Sequence, residues 1–247
     1  MKENYLTAEN YYETYSGWDL RLMYERIKKM QIPDNNREQL STKEKANILI
    51  LGSATPDNLS RIAQIDSYLR PGKVEQDVAI IIDQNMHPLA KHKEDILCLE
   101  GKDGWSNTPK STPEFPLPKF ELSQADIREL PFKNNEVDII ISDYTLNYLE
   151  TIEDINRTFE EISRVLSTNG LVFISLRGNE KYPYQKENPI KLQNDVQQKN
   201  QGGVMVNYFP LHTYFEIAKN HNLNIVNTDN AGTDICALIV KKQESPN

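Results

Sequence analysis

Short runs of apolar or alternating residues recur along the chain: NILIL at 47–51, VAIII at 78–82, KFELSQA at 119–125, VDIIIS at 137–142 and LVFISL at 171–176. Each has the length of a strand, and the continuous apolar ones suit a sheet covered on both faces. Between them the period changes to that of a helix. Residues Asp57 to Tyr68 place Leu59, Ile62, Ala63 and Ile65 on one side, and a helix is expected around Pro88 to Leu97. The segment TIEDINRTFEEISRVL sets Ile152, Ile155, Phe159, Ile162, Val165 and Leu166 in one stripe, with Asn169 and Gly170 after it as the expected C-cap. A helix from Leu211 to His221, a strand from Leu223 to Asn227 and a last strand from Ile235 complete the series. Strands alternating with helices predict βα units and a mostly parallel sheet.

The flanking and intervening segments read differently. From Thr7 to Met30 the chain carries Tyr11, Tyr12, Tyr15, Trp18, Leu20, Leu22, Met23 and Ile27 at partly helical spacing, which predicts one or two helices. Residues 31–45 are polar and punctuated by proline, as in a linker. The expected organisation is one domain over 1–247, with an N-terminal helical lid and linker at 1–45 and an α/β core at 46–247. Residues 99–118 and 177–207 are rich in Pro, Gly, Asn and Lys and read as long surface loops. Loops of that length at strand ends often cover a site.

Composition narrows the function. A net charge of −8 and a pI near 5.2 supply no broad positive field, which argues against a nucleic-acid partner. Cys98 and Cys236 lie far apart without paired spacing, so neither a disulfide framework nor a zinc site is expected and both are read as structural or incidental. His87, His92, His212 and His221 form no ligand set with a carboxylate, and no metal is expected. The N-terminus lacks the basic start and apolar core of a signal peptide, and no apolar run approaches the ~20 residues that span a bilayer. A cytoplasmic protein is the expectation, although secretion without a signal peptide would leave no trace in the sequence.

Open α/β sheets bind ligands beyond the carboxyl ends of their strands. There the chain reads GSATPDN, DQNMHP, DIRELPF and DYTLNYL. Gly52 lets backbone pass close to a ligand, and Thr55, Pro56 and Asp57 suit a helix start; a tight strand-to-helix turn has the same needs. Asp83 ends the second strand, where a carboxylate can accept both hydroxyl hydrogens of a ribose, or else cap a helix. Asp126 can accept from an exocyclic amine while Ile127 brackets a purine ring, or else serve as a turn carboxylate.

Taken together, ADIRELPFKNNEVDIIISDYTLNYL and FEEISRVLSTNGLVFIS resemble the central region of class I S-adenosylmethionine-dependent methyltransferases, in particular the branch with the ubiquinone and menaquinone biosynthesis enzymes. Asp126, Leu130, Pro131, Phe132, Asp138, Arg164, Val165, Leu166 and Gly170 carry the resemblance, which spans about residues 46–177. It implies a doubly wound, Rossmann-like seven-stranded sheet of order 3-2-1-4-5-7-6 with its last strand antiparallel. It also implies S-adenosylmethionine as cofactor, with Gly52, Ser53, Ala54, Asp83, Gln84, Asp126, Ile127, Asp143 and Tyr144 around it.

The first motif departs from the family pattern: Ile50 stands where the family has an acid, and Ala54 and Pro56 stand where it has glycines. On the acceptor side Tyr11, Tyr12, Tyr148 and Arg177 are the candidates, and Asp143 could act as a base. The leading expectation is methyl transfer to a small molecule. The alternatives are a non-catalytic binding or regulatory member of the fold, suggested by the altered first motif, and a protein methyltransferase, whose acidic surface would prefer a basic partner.

Overall fold

The computed structural model describes residues 20–52, 58–84, 116–178, 197–201, 204–231 and 234–241. Among these residues nine strands form in chain order: β1 (Asn47–Leu51), β2 (Val78–Asp83), β3 (Lys119–Gln124), β4 (Val137–Asp143), β5 (Leu166–Arg177), β6 (Gln197–Gln201), β7 (Val204–Tyr208), β8 (Leu223–Ala231) and β9 (Asp234–Lys241). Seven of them make one sheet of order β3-β2-β1-β4-β5-β9-β8. The first five run parallel, and β9 is antiparallel to both β5 and β8. With β8 and β9 counted as the sixth and seventh strands of this sheet, the expected order and the expected antiparallel last strand both hold.

The helices are α1 (Leu20–Ile27), α2 (Asp34–Thr42), α3 (Asn58–Leu69), α4 (Ile152–Val165) and α5 (Leu211–Asn220). They cover both faces of the sheet. On one face α1 and α3 pack Met23, Ile27, Leu59, Ile62 and Ile65 against Ile48, Ile50, Ile139, Ile141 and Phe173. On the other, α4 and α5 pack Ile155, Phe159, Ile162 and Tyr214 against Leu49, Leu51, Ile140, Val172 and Ile174. Alternate residues of the same strands serve the two cores, which is why these strands read as unbroken apolar runs. The edge strand β3 instead exposes Lys119 and Glu121, charges that discourage edge-to-edge pairing.

Three expectations need correction. Residues 31–45 are not a plain linker: α2 occupies Asp34–Thr42, with Asn36 and Leu40 buried. Asn169 and Gly170 do not cap α4, which ends at Val165; they lie inside β5, where the register against β4 shifts and Asn169 adopts φ 65°. The segment 177–207 is not surface loop throughout, because β6 and β7 pair as an antiparallel hairpin and Val206 and Asn207 are buried. The expected helix at 88–97, residues 99–115 and the aromatic segment before Leu20 lie outside the described residues.

The amino-terminal end of the sheet holds a buried charge cluster. Asp77 accepts from Arg70 Nε at 2.7 Å and Nη2 at 2.9 Å and from the backbone N–H of Ala46 at 2.7 Å. Arg70 also donates to the carbonyls of Leu40 and Lys43, so one guanidinium ties α2 and α3 to the start of β2. Asp66 lies in the same place, 1% exposed, and neither of its oxygens accepts a hydrogen bond from a donor among the described residues.

Candidate active site

The carboxyl edge of the sheet brings the sequence-predicted residues together in strand order. Gly52 follows β1 at φ 80°, its N–H bonded to the carbonyl of Ile82 at 2.9 Å. A β-carbon built there would lie 2.4 Å from Thr145 Oγ1, and that hydroxyl donates to the carbonyl of Leu51 at 2.6 Å. The backbone of β1 and the turn after β4 thus touch through the space a side chain would fill, and glycine is required on two counts. Ser53 and Ala54 lie outside the described residues, as do Tyr11 and Tyr12.

Asp83 ends β2 with its side chain half-buried, and Gln84 follows it exposed. The next strand ends opposite: Gln124 pairs in register with Asp83, and Ala125 N–H bonds to the Asp83 carbonyl at 3.1 Å. Asp126 and Ile127 are half-buried just beyond, with Ile127 packed against the core. Both oxygens of Asp126 accept from Arg128, which holds this carboxyl below the usual carboxylate range. Arg128 also reaches Asp154 at 2.6 Å. Asp154 belongs to the capping box of α4, made with Thr151. Asp126 is therefore fixed in orientation, and only its remaining lone-pair directions are open to a ligand.

The motif residues that carried the resemblance mostly build this edge without facing it. Arg164 on α4 donates to the carbonyls of Leu130 at 2.9 Å and Phe132 at 2.6 Å, while Glu161 accepts from Leu130 N–H at 2.6 Å. These bonds clamp the Leu-Pro-Phe turn that follows Asp126. Asp138, 2% exposed at the opposite end of β4, accepts from Lys43 at 2.5 Å, Asn47 N–H at 3.1 Å and Ser167 at 2.8 Å. Its part is to hold the strand starts together.

After β4 the chain turns sharply. Tyr144 takes φ 55°, a left-handed conformation that costs a tyrosine about 1–2 kcal/mol and persists where the surroundings fix it. It is 8% exposed, and burial first, then the charges of Asp234 and Asp143, hold its phenol protonated far above the usual range. Tyr144 is thus a hydrogen-bond donor and not a base. Asp143 and Tyr148 are half-buried beside it. Arg177, at the end of β5, forms a two-pronged pair with Asp234 at 2.5 and 2.8 Å.

Asn147 was missed as an organising residue. It is 1% exposed and donates to the carbonyls of Arg177 at 2.8 Å and Asn207 at 3.0 Å, while its oxygen accepts from Arg177 N–H at 3.1 Å. It joins the turn after β4 to β5 and β7. Its partners lie 30 and 60 residues away in sequence, so no local pattern marks it.

A mostly parallel open sheet with the order seen here, its last strand antiparallel, is the Rossmann-like methyltransferase fold. Within it, residues 77–174 match the family model described as a methyltransferase domain. Among solved structures the chain is similar to an S-adenosylmethionine-dependent methyltransferase from Clostridium acetobutylicum (TM-score 0.59, 13% identity, 96% of this chain and 98% of that one). It is also similar to one from Methanosarcina mazei (TM-score 0.55, 12% identity, 87% of this chain and 100% of that one). A TehB-like enzyme from Corynebacterium glutamicum is a third (TM-score 0.53, 13% identity, 95% of this chain and 98% of that one). No curated protein matches the sequence. The domain match covers residues 77–174, and the likeness to these structures shows the fold of the S-adenosylmethionine-dependent methyltransferases.

Residues that could hold S-adenosylmethionine stand at this edge: half-buried carboxylates lie at or just beyond the ends of β2, β3 and β4, while the space on the β-carbon side of Gly52 is taken by Thr145. Ile50, where the family pattern has an acid, is 5% exposed and belongs to the apolar core under α1 and α3.

Proposed function

We propose that the chain methylates a small molecule at the carboxyl end of β4 and β5. When bound, S-adenosylmethionine supplies a methyl group already activated by its sulfonium, so the protein's work is to hold the acceptor in line and keep water away. In this reading Asp83 accepts the ribose hydroxyls. Asp126 and Ile127 bracket the purine, with Gln84 beside them, and the backbone at Gly52 passes close to the amino-acid end. Asp143 is placed to take a proton from an acceptor hydroxyl or amine, while the protonated Tyr144 donates a hydrogen bond to it. Arg177, committed to Asp234, shapes the wall, and Tyr148 lines the same turn.

One observation carries the small-molecule reading. Beyond the apolar rows of β5 and β9, Ser175 and Cys236 are 2% and 0% exposed, and Cys236 belongs to the core cluster that Met23 and Ile27 of α1 share. An acceptor that reaches them must enter under a helix, which suits a compact molecule better than the surface of a folded protein.

A second reading, a non-catalytic member of the fold, is favoured by Ile50, which leaves the first motif without its acid. Incubating the protein with methyl-labelled cofactor and cell extract, then separating small molecules from protein, tests both. The expected result is label in the small-molecule fraction. Label in protein would redirect the reading to a protein acceptor, and label in neither would favour the non-catalytic one.

No helix among the described residues is long and apolar enough to cross a membrane. The acidic balance of the whole chain, −8, supports an acceptor other than nucleic acid.

A further inference from the structure

Arg26 on α1 is 4% exposed, and its Nη1 has no hydrogen-bond partner among the described residues. A guanidinium removed from water normally satisfies its donors, and each one left unpaired is costly. Among the described residues its ion pair is a single contact, Nε to Asp229 Oδ2 at 3.5 Å, well short of the two-pronged geometry that Arg177 makes with Asp234.

The sheet register shows what Arg26 overlooks. Asp143, Ser175, Cys236 and Asp229 are consecutive lateral partners across β4, β5, β9 and β8, so their side chains share one face. Two residues back on that face lie Ile141, Phe173 and Leu238, the apolar floor on which Met23 and Ile27 of α1 pack. Two residues forward on β5 and β9 lies the Arg177–Asp234 pair. The Cys236 thiol is pushed up to about 12, chiefly by burial, and remains neutral. Arg177 is paired with Asp234, which leaves Arg26, among the described residues, as the guanidinium near this row with a nitrogen, Nη1, that has no hydrogen-bond partner.

We infer that Arg26 is an acceptor-binding residue, and that the methyl acceptor carries a carboxylate which Arg26 Nη1 receives beneath α1. The inference rests on the small-molecule reading above and names its substrate class. A carboxylate there would complete the guanidinium's hydrogen bonding and add a second negative partner beside the single contact to Asp229. It would also sit in the same lateral row as Asp143, which puts the anchored end of the acceptor at β9 and β8 and directs its other end toward β4.

The experiment uses the full chain saturated with S-adenosylhomocysteine, with benzoate as the carboxylate probe and benzamide as its neutral counterpart, both at millimolar concentration. Thermal stability should rise with benzoate and not with benzamide. Arg26→Met should abolish the benzoate effect while S-adenosylhomocysteine affinity stays within about twofold, and Arg26→Lys should retain only part of it. If Arg26→Met does not fold, the guanidinium resonances of isotope-labelled arginine in the unaltered protein decide: one must shift with benzoate and not with benzamide. Equal responses to the two probes, no response to either, or a benzoate response that survives Arg26→Met would each overturn the inference. So would a large loss of S-adenosylhomocysteine affinity in Arg26→Met, because Arg26 would then serve the cofactor. A protein that fails to bind S-adenosylhomocysteine at all would refute the methyltransferase reading itself, which separates the two failures.

Discussion

Replacing Asp66 by asparagine is expected to raise stability at pH 8 by about 2–5 kcal/mol and to leave it nearly unchanged near pH 4. Burial first, and then the negative charge of Asp77, push the Asp66 carboxyl up to about 8. Arg70, the cation beside both acids, is already engaged by two hydrogen bonds to Asp77. The folded state therefore binds a proton that the unfolded state releases near its ordinary value of 3.8. Linkage gives the sign: where the folded state holds more protons, stability falls as pH rises, so this contribution is complete below about pH 4 and is lost progressively toward pH 8. Asparagine has nearly the same shape and no charge to suppress. Denaturant unfolding of both proteins between pH 4 and 8 should show a falling profile for the native chain and a flatter one for Asp66→Asn. Parallel profiles would refute the assignment.

Gly52→Ala is expected to weaken cofactor binding about tenfold or more and to lower stability by about 1–3 kcal/mol. Two independent causes add. An alanine at φ 80° is strained by about 1–2 kcal/mol, and its β-carbon would lie 2.4 Å from Thr145 Oγ1 and 2.9 Å from Thr145 Cγ2. Thr145 cannot retreat without giving up its bond to the Leu51 carbonyl at 2.6 Å. Adding Thr145→Ala removes both close contacts and leaves only the β-carbon at 3.2 Å. The double variant should recover part of the loss, with a coupling of at least about 0.5 kcal/mol in a double-mutant cycle. Strictly additive effects would mean that the turn after β4 yields freely.

How much of this was legible in the sequence follows from where each element finds its stabilisation. The strands β1, β2 and β4 and the helices α3 and α4 bury apolar faces, and the runs and stripes that marked them match the observed bounds to within a residue or two. Helix α2 was invisible because polar contacts dock it: Asn36 donates to the Asn169 carbonyl at 2.7 Å and Gln39 to the Thr168 carbonyl at 3.2 Å. The same contacts explain why Asn169 and Gly170 were misread as a cap. Asn169 does take the left-handed conformation favoured at helix ends, but it does so in an irregular stretch of β5 against which α2 docks. The hairpin of β6 and β7 escaped because QQKNQ has no apolar alternation.

The candidate site shows the same division. Gly52, Asp83, Asp126 and Asp143 were legible because each ends a recognisable strand, and topology alone brings such residues to one edge. The partners that fix them were less so. The commitment of Arg177 to Asp234 depends on β9 lying beside β5 across 57 residues of chain. Arg26 lies in an N-terminal helix that the sequence identified only by its aromatic and apolar neighbours, and nothing local to it announces a buried guanidinium over β8 and β9.

The central claim is that the carboxyl edge from β1 to β4 holds S-adenosylmethionine, and calorimetric titration of the intact chain with S-adenosylhomocysteine tests it most directly. Saturable binding at one site per chain is expected, weakened more than tenfold by Asp83→Ala in a protein that remains folded, as follows from loss of a charge-assisted hydrogen bond. Absence of binding by the unaltered chain, or an affinity that Asp83→Ala leaves unchanged, would contradict it.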